Sequence, residues 1–339
     1  MIWLTWRQFR GPALAGVVAL ALLAAYLLHL GFDIRESYDN HRAQCAGLAD
    51  CGPQLSRFSA DHENNLLYLA AVLGLIPGLV GMFWGAPLVA REVEAGTQRL
   101  VWSQSVTRRH WLAVKLALVG LAGMVLTGAA SLLLTWAAGP VDQVADNRFS
   151  TILFGARNVA PIAYAAFALV LGTIIGLLVR RTVPAMALTI LTFVVVQFLV
   201  PNVIRPHFLP PEHRTVPMTA QAINQARSLG SITGAPVVKG LTVPDAWVTD
   251  VSELLTRTGE PLDEGIFDGC FTDAPETGTA EGPYGDTAVC LAEHDLHVTV
   301  AYQPDSRYWS FQWLESAFYL LLAGLLAGFG FWRLQRRPS

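Results

Sequence analysis

Residues 66–90, L-L-Y-L-A-A-V-L-G-L-I-P-G-L-V-G-M-F-W-G-A-P-L-V-A, run for 25 positions without an acidic or basic side chain. A helix needs about 20 apolar residues to cross the roughly 30 Å hydrocarbon core of a bilayer, so this stretch reads as a membrane span. Working outward from it, five further windows pass the same test: residues 11–31, 111–138, 159–179, 183–203 and 311–332. The ionisable residues that intrude, His29, Lys115 and Glu315, fall in the first or last turns, where their side chains are expected to reach the interface. The middle of every span is therefore expected to be free of formal charge.

Composition agrees with six spans. Of 339 residues, 53% are hydrophobic and 14% charged, against about 25% charged in a typical soluble domain, and the mean hydropathy is +0.41. These values exclude an ordinary soluble enzyme, a disordered chain and a small cystine scaffold. The apolar part of the first span is too long for a signal-peptide core, and no small-x-small site follows it, so it is expected to stay attached. Arginine outnumbers lysine 21 to 2, which we read as the coding bias of a GC-rich bacterial genome.

Basic residues fix the expected orientation, because they accumulate on the cytoplasmic side of short loops. The N-terminus, residues 91–110 with Lys115, the turn at Arg180 and Arg181, and the tail together hold 12 basic and 2 acidic residues. The opposite side holds 11 basic and 24 acidic. Both termini are thus expected in the cytoplasm of a multi-pass protein of the bacterial cell membrane. Cys45, Cys51, Cys270 and Cys290 all fall on the outer side, where disulfides are permitted. Four cysteines allow three pairings; the local ones, Cys45 with Cys51 and Cys270 with Cys290, are preferred because each pair shares one loop, and free thiols are the alternative.

Between the fifth and sixth windows, residues 204–310 carry 15 acidic and 6 basic residues, and the Pro-rich entry to the segment, Pro201, Pro206, Pro210 and Pro211, opposes a continued helix. Residues 219–231 look helical and residues 296–302 alternate like a strand, so a small mixed α/β extracellular domain is expected. Residues 32–65 read as a shorter outer loop packed against it. Residues 1–10 read as an interfacial amphipathic helix with Ile2, Trp6 and Phe9 on one face. The fold class is then a mainly α membrane protein with six transmembrane helices. Residues 11–203 hold the first five, and residues 311–339 the sixth and a basic tail.

The longest inner loop is R-E-V-E-A-G-T-Q-R-L-V-W-S-Q-S-V-T-R-R-H over residues 91–110. A short helix there would show Glu92, Glu94, Arg99, Arg108 and Arg109 to the cytosol while Leu100, Val101 and Trp102 rest on the membrane. From composition alone it is equally well a solvated positive-inside connector.

The six-span layout, the segment Glu92, Glu94, Gly96, Thr97 followed by Ser105, Val106, Thr107, Arg108, and the large segment before the last span resemble type-2 permeases of ATP-binding-cassette (ABC) exporters. The resemblance implies that residues 91–110 form a coupling helix docking into a separate ATPase, through Glu92, Glu94, Gly96, Thr97, Arg99, Arg108 and Arg109. It also implies a second permease subunit, identical or paralogous, and outward movement of a hydrophobic or amphiphilic substrate along spans two and five. On span five, Thr189, Phe193 and Gln197 would line that path.

The chain's own chemistry fits a passive conduit. Neither lysine sits in a G-K-[ST] loop, so ATP and magnesium belong to the partner chain, and no cofactor is expected in this one. No mid-span ionisable group suggests ion-coupled transport. Thr127, Ser131 and Thr135 form a hydroxyl stripe on span three, and glycines at 74, 78, 81, 85, 172, 176, 324 and 328 form small-residue seams; both read first as helix packing. Glu293, His294, Asp295 and His297 lack a zinc-ligand motif and read as surface chemistry, with no metal expected. The partners are ATPase, permease and lipid, with no nucleic acid. Two rivals share the layout: a membrane-anchored sensor whose outer domain binds a ligand and whose inner loop signals, and a membrane enzyme using the His/acid cluster.

Overall fold

The computed structural model describes residues 2–46, 51–96, 107–144, 148–232, 235–272 and 282–336. The chain divides into a helical unit, Met1–Arg205 with Trp309–Ser339, and a second unit, Pro206–Tyr308. Among the described residues, six helices are long and apolar enough to cross a membrane.

In the helical unit α1 (Ile2–Gln44) runs unbroken through Pro12, so residues 2–10 are its first turns and not a separate helix. Its inward face there is Thr5 and Phe9, both buried, whereas Trp6 is exposed. Residues 32–44 and 52–65 are helical instead of a loop. α1 continues to Gln44, a Cys45–Cys51 disulfide follows, and α2 (Gly52–Val80) begins at once with Pro53 in its first turn. Polar residues 33–41 contain no glycine or proline, so nothing ends the helix where hydrophobicity does.

α2 passes through a π-helical turn, Gly81–Gly85, into α3 (Ala86–Glu94). Pro87 lacks the donor that an α-helix would aim at residue 83, and Ala86 N–H instead reaches Gly81 O, five residues back. α4 (Arg108–Asp142) is capped by Thr107, whose Oγ1 accepts from His110 N at 3.3 Å. A short buried helix that hydropathy did not suggest, α5 (Thr151–Ala156), leads to α6 (Ala160–Val179), the most enclosed span. Gly81 and Gly85 lie against the backbone carbonyls of Ala168 and Leu169, and Gly172 and Gly176 against those of Gly81 and Ala86. A Cβ at any of these four would come within 2.6 Å of a carbonyl oxygen, so the two helices meet backbone to backbone. Gly74, Gly324 and Gly328 have nothing within 4 Å of a Cβ and form no seam within the chain.

α7 (Thr182–Leu199) follows a tight turn at Arg180, which takes the left-handed conformation, and ends in a second π turn, Val200–Ile204. The second unit holds a three-stranded antiparallel sheet, ordered β1 (Glu212–Pro217), β5 (His297–Pro304), β4 (Ala246–Val251), and a hairpin of β2 (Ser228–Ile232) with β3 (Ala235–Lys239). Val298 and Val300 of β5 alternate into a core with Ile223, Leu254, Phe267 and Leu291. Thr219 caps α8 (Ala220–Gln225), which stops well short of Ser231 because residues 228–232 pair with β3. α9 (Glu264–Thr272) and α10 (Gly285–Ala292) are joined by the Cys270–Cys290 disulfide. The chain returns to the helical unit as α11 (Tyr308–Arg336).

Candidate coupling site

Charges of the helical unit turn inward in pairs. At the end of α3, Glu92 lies 2.6 Å from Lys115 of α4, and both side chains are nearly enclosed. Lys115 also donates to Leu88 O at 3.1 Å and sits over the Trp111 ring. Two residues on, Glu94 accepts from Thr182 at the start of α7, from N at 2.9 Å and from Oγ1 at 2.7 Å. A carboxylate there satisfies an open backbone donor and faces the positive end of the helix dipole. Two acidic residues, Glu92 and Glu94, therefore bind the end of α3 to two different spans.

This corrects the expectation that Glu92 faces the cytosol and Lys115 the interface. Taking a lysine out of water is tolerated when a carboxylate and a carbonyl meet it, as here. Gly96 serves the local fold, closing α3 at φ +69° with its N–H on Val93 O. Thr97, Arg99, Leu100, Val101, Trp102 and Ser105 lie outside the described residues. Arg108 and Arg109 open α4, where positive charge opposes the helix dipole.

A second cluster lies where α7 ends and α11 begins. Arg205 and Glu315 are fully buried, with Nε to Oε2 at 2.5 Å and Nη2 to Oε1 at 3.0 Å. Tyr164 of α6 donates to the same carboxylate, and Arg205 lies over the Phe154 ring at 4.0 Å. Gln312, also buried, accepts from Ala160 N and donates to Phe154 O. Both charges lie near the ends of their helices. Glu315 points inward instead of toward an interface, and Arg205 belongs to the helical unit, although the prolines after it suggested the soluble segment. Arg157 pairs with Asp142 nearby.

The three residues expected on a substrate path are engaged inside the chain. Thr189 donates to Ala185 O at 2.6 Å, Phe193 packs where Gly78 leaves room, and Gln197 accepts from Tyr319 at 3.0 Å. The hydroxyl stripe of α4 packs helices: Ser131 donates to Asn158 O, and Asn158 N donates to Thr135 Oγ1. Among the described residues, His294 of the His/acid cluster groups with two further potential ligands, Cys270 and Cys290, whose sulfurs are joined.

Sequence reasoning missed Lys115, Thr182, Arg205, Glu315 and Tyr164 as members of these clusters. A signal was present for two of them: a lysine and a glutamate near the ends of apolar runs each need a counter-charge when buried.

Six helices long and apolar enough to cross a membrane, with Glu92–Lys115, Asp142–Arg157 and Arg205–Glu315 paired inside the helical unit, point to a multi-pass membrane protein. Residues 17–205, more than half the chain, match the family "ABC-2 membrane transporter related", and the chain belongs to that family. It is accordingly a permease-type membrane component of transport, not itself catalytic. No curated protein and no solved structure matches it.

Proposed function

We propose that this chain is the membrane-spanning subunit of an ATP-driven exporter, which moves a hydrophobic or amphiphilic substrate outward on energy supplied by a separate cytosolic ABC ATPase. Two permease subunits, identical or paralogous, surround the path; ATP and magnesium act in the ATPase. The charge asymmetry supports a bacterial cell membrane location with both termini and residues 91–110 in the cytoplasm. The sheet unit and both disulfides then lie outside.

The observation that carries this reading is the double tie at the end of α3. Force applied to residues 91–110 reaches α4 through Glu92 and Lys115, and α7 through Glu94 and Thr182. A rigid element with bonds to two spans can convert ATPase closure into helix displacement. Thr189, Phe193 and Gln197 enter the path when α7 moves off α2 and α11. Arg108 and Arg109, placed against the helix dipole, suit an acidic surface on the ATPase.

Co-expression with candidate ABC ATPases and purification through a tag on the permease tests this reading. A stoichiometric ATPase is expected, and Arg108→Glu with Arg109→Glu should release it while the permease stays monodisperse. Purification with a kinase or regulator in its place favours the sensor and overturns the transporter.

A further inference from the structure

We propose that a cavity between the start of α1 and the α2–α3 joint binds an anionic amphiphile, an apolar chain or aromatic body carrying one phosphate or carboxylate head. Its volume is about 410 Å³, within the range of about 300–1,000 Å³ usual for small-molecule sites. Phe9, Phe83, Trp84 and Pro87 form apolar walls, and Gln8 and Arg91 lie among the polar groups of its lining.

The walls are built in advance. Trp84 stands edge-on to Phe9 with ring centroids 4.8 Å apart. It is seated by the bare backbone of Gly16, where a Cβ would lie 2.7 Å from the indole. Phe83 and Trp84 come from the π turn, a distortion that concentrates at functional sites. Phe83 is half exposed on the apolar outer surface, which gives a hydrocarbon tail a lateral way in.

The charge of the head follows from the polar groups. Glu92 lines the cavity, but its charge is met by Lys115. Arg91 is exposed and makes no ion pair among the described residues, which leaves one uncompensated positive charge at the site. A guanidinium with a neighbouring amide favours phosphate or carboxylate over a neutral or cationic head. Because Glu92 is both a wall and the tie to α4, an occupant would bear on the lever itself. That the occupant is cargo rests on the transporter reading; that the cavity takes such a molecule does not.

The test uses the full chain in nanodiscs with palmitate bearing a diazirine near its chain end, photolysed and mapped by peptide mass spectrometry. Label is expected on the segments around Phe9 and Phe83–Pro87. Arg91→Glu should lower it about tenfold, the equivalent of one charge-assisted contact. Ala95→Trp, which fills a lining position without touching the charge, should block it. Both variants should keep the elution volume and thermal midpoint of the parent. If label is suppressed in phosphatidylglycerol discs and not in phosphatidylcholine discs, the resident anion is a bilayer lipid; equal label in both identifies a free amphiphile. Either result supports the site. Equal labelling by the matching hexadecanol probe, label elsewhere or none, or indifference to both substitutions overturns it. The co-purification test is unaffected by that outcome.

Discussion

Arg205 and Glu315 meet as a doubly hydrogen-bonded pair at the two places where the chain leaves and rejoins the helical unit. The residue after Arg205 opens the second unit, and Glu315 lies two turns into the returning helix. The pair therefore staples both connections to the inserted unit at their root. With Tyr164 on the same carboxylate, it also anchors them to the most enclosed span.

Removing one member of that pair should be worse than removing both. Glu315→Leu leaves a buried guanidinium uncompensated, at a cost of about 3–5 kcal/mol, whereas Arg205→Met with Glu315→Leu, made together with Tyr164→Phe so that no hydroxyl loses its acceptor, replaces the cluster by apolar groups at little cost. The thermal midpoint of the purified chain in detergent should fall sharply for the single variant and return toward the parent for the triple. Equal losses in the two would show that the pair is not a closed unit.

Glu92 and Lys115 permit a charge swap. Glu92→Lys places two cations within reach of each other in a nearly enclosed site, so yield and monodispersity should drop; adding Lys115→Glu should restore much of both. Glu94→Gln, by contrast, keeps an oxygen for Thr182 and should be nearly silent. Glu94→Ala should lower the thermal midpoint, as the loss of a helix cap does. Thermal melts of the four proteins decide it, and a swap that fails to recover would remove Lys115 as the partner that matters.

Much of this architecture is legible from residue type alone, and the rest fails for a consistent reason. A window of apolar residues locates a span because the bilayer demands it, but it cannot see a helix carry on through Asp33 to His41, where hydrogen bonding continues after hydrophobicity stops. Alternation in residues 296–302 shows β5, while residues 228–232 look helical until β3 pairs with them. Glu92 and Glu94 are visible as an acidic doublet; their partners Lys115 and Thr182 are brought in by other spans and have no fixed spacing from them. Arg205 falls in the soluble segment by sequence because that segment is drawn from residue 204, two residues before Pro206, where the second unit opens.

The orientation proposed from the basic residues is open to direct measurement. With the disulfides holding the native cysteines, Ala95→Cys and Thr258→Cys each add one exposed thiol, one at the end of α3 and one in the sheet unit. A membrane-impermeant maleimide applied to intact cells should label Thr258→Cys, and Ala95→Cys only after lysis. The reverse pattern would put the α3 end outside and leave no cytosolic ATPase able to reach it.

Two glycine-to-alanine substitutions should act with opposite signs. A Cβ on Gly172 would lie 2.3 Å from Gly81 O and 2.8 Å from Ala86 N, and backbone atoms cannot rotate away as a side-chain tip can. Gly172→Ala must push α6 off the π turn, costing about 1–3 kcal/mol or more. On α11, Gly324 has nothing within 4 Å, so Gly324→Ala removes only backbone freedom from the unfolded chain and should stabilise by about 0.5–1 kcal/mol. Thermal melts of the isolated chain should show a fall for the first and a small rise for the second. If Gly324→Ala leaves the isolated chain sound and instead weakens self-association by cross-linking, the open face of α11 is where a second subunit approaches. A harmless Gly172→Ala would mean that the α6 seam is looser than backbone contact allows, and that the π turn is free to move without it.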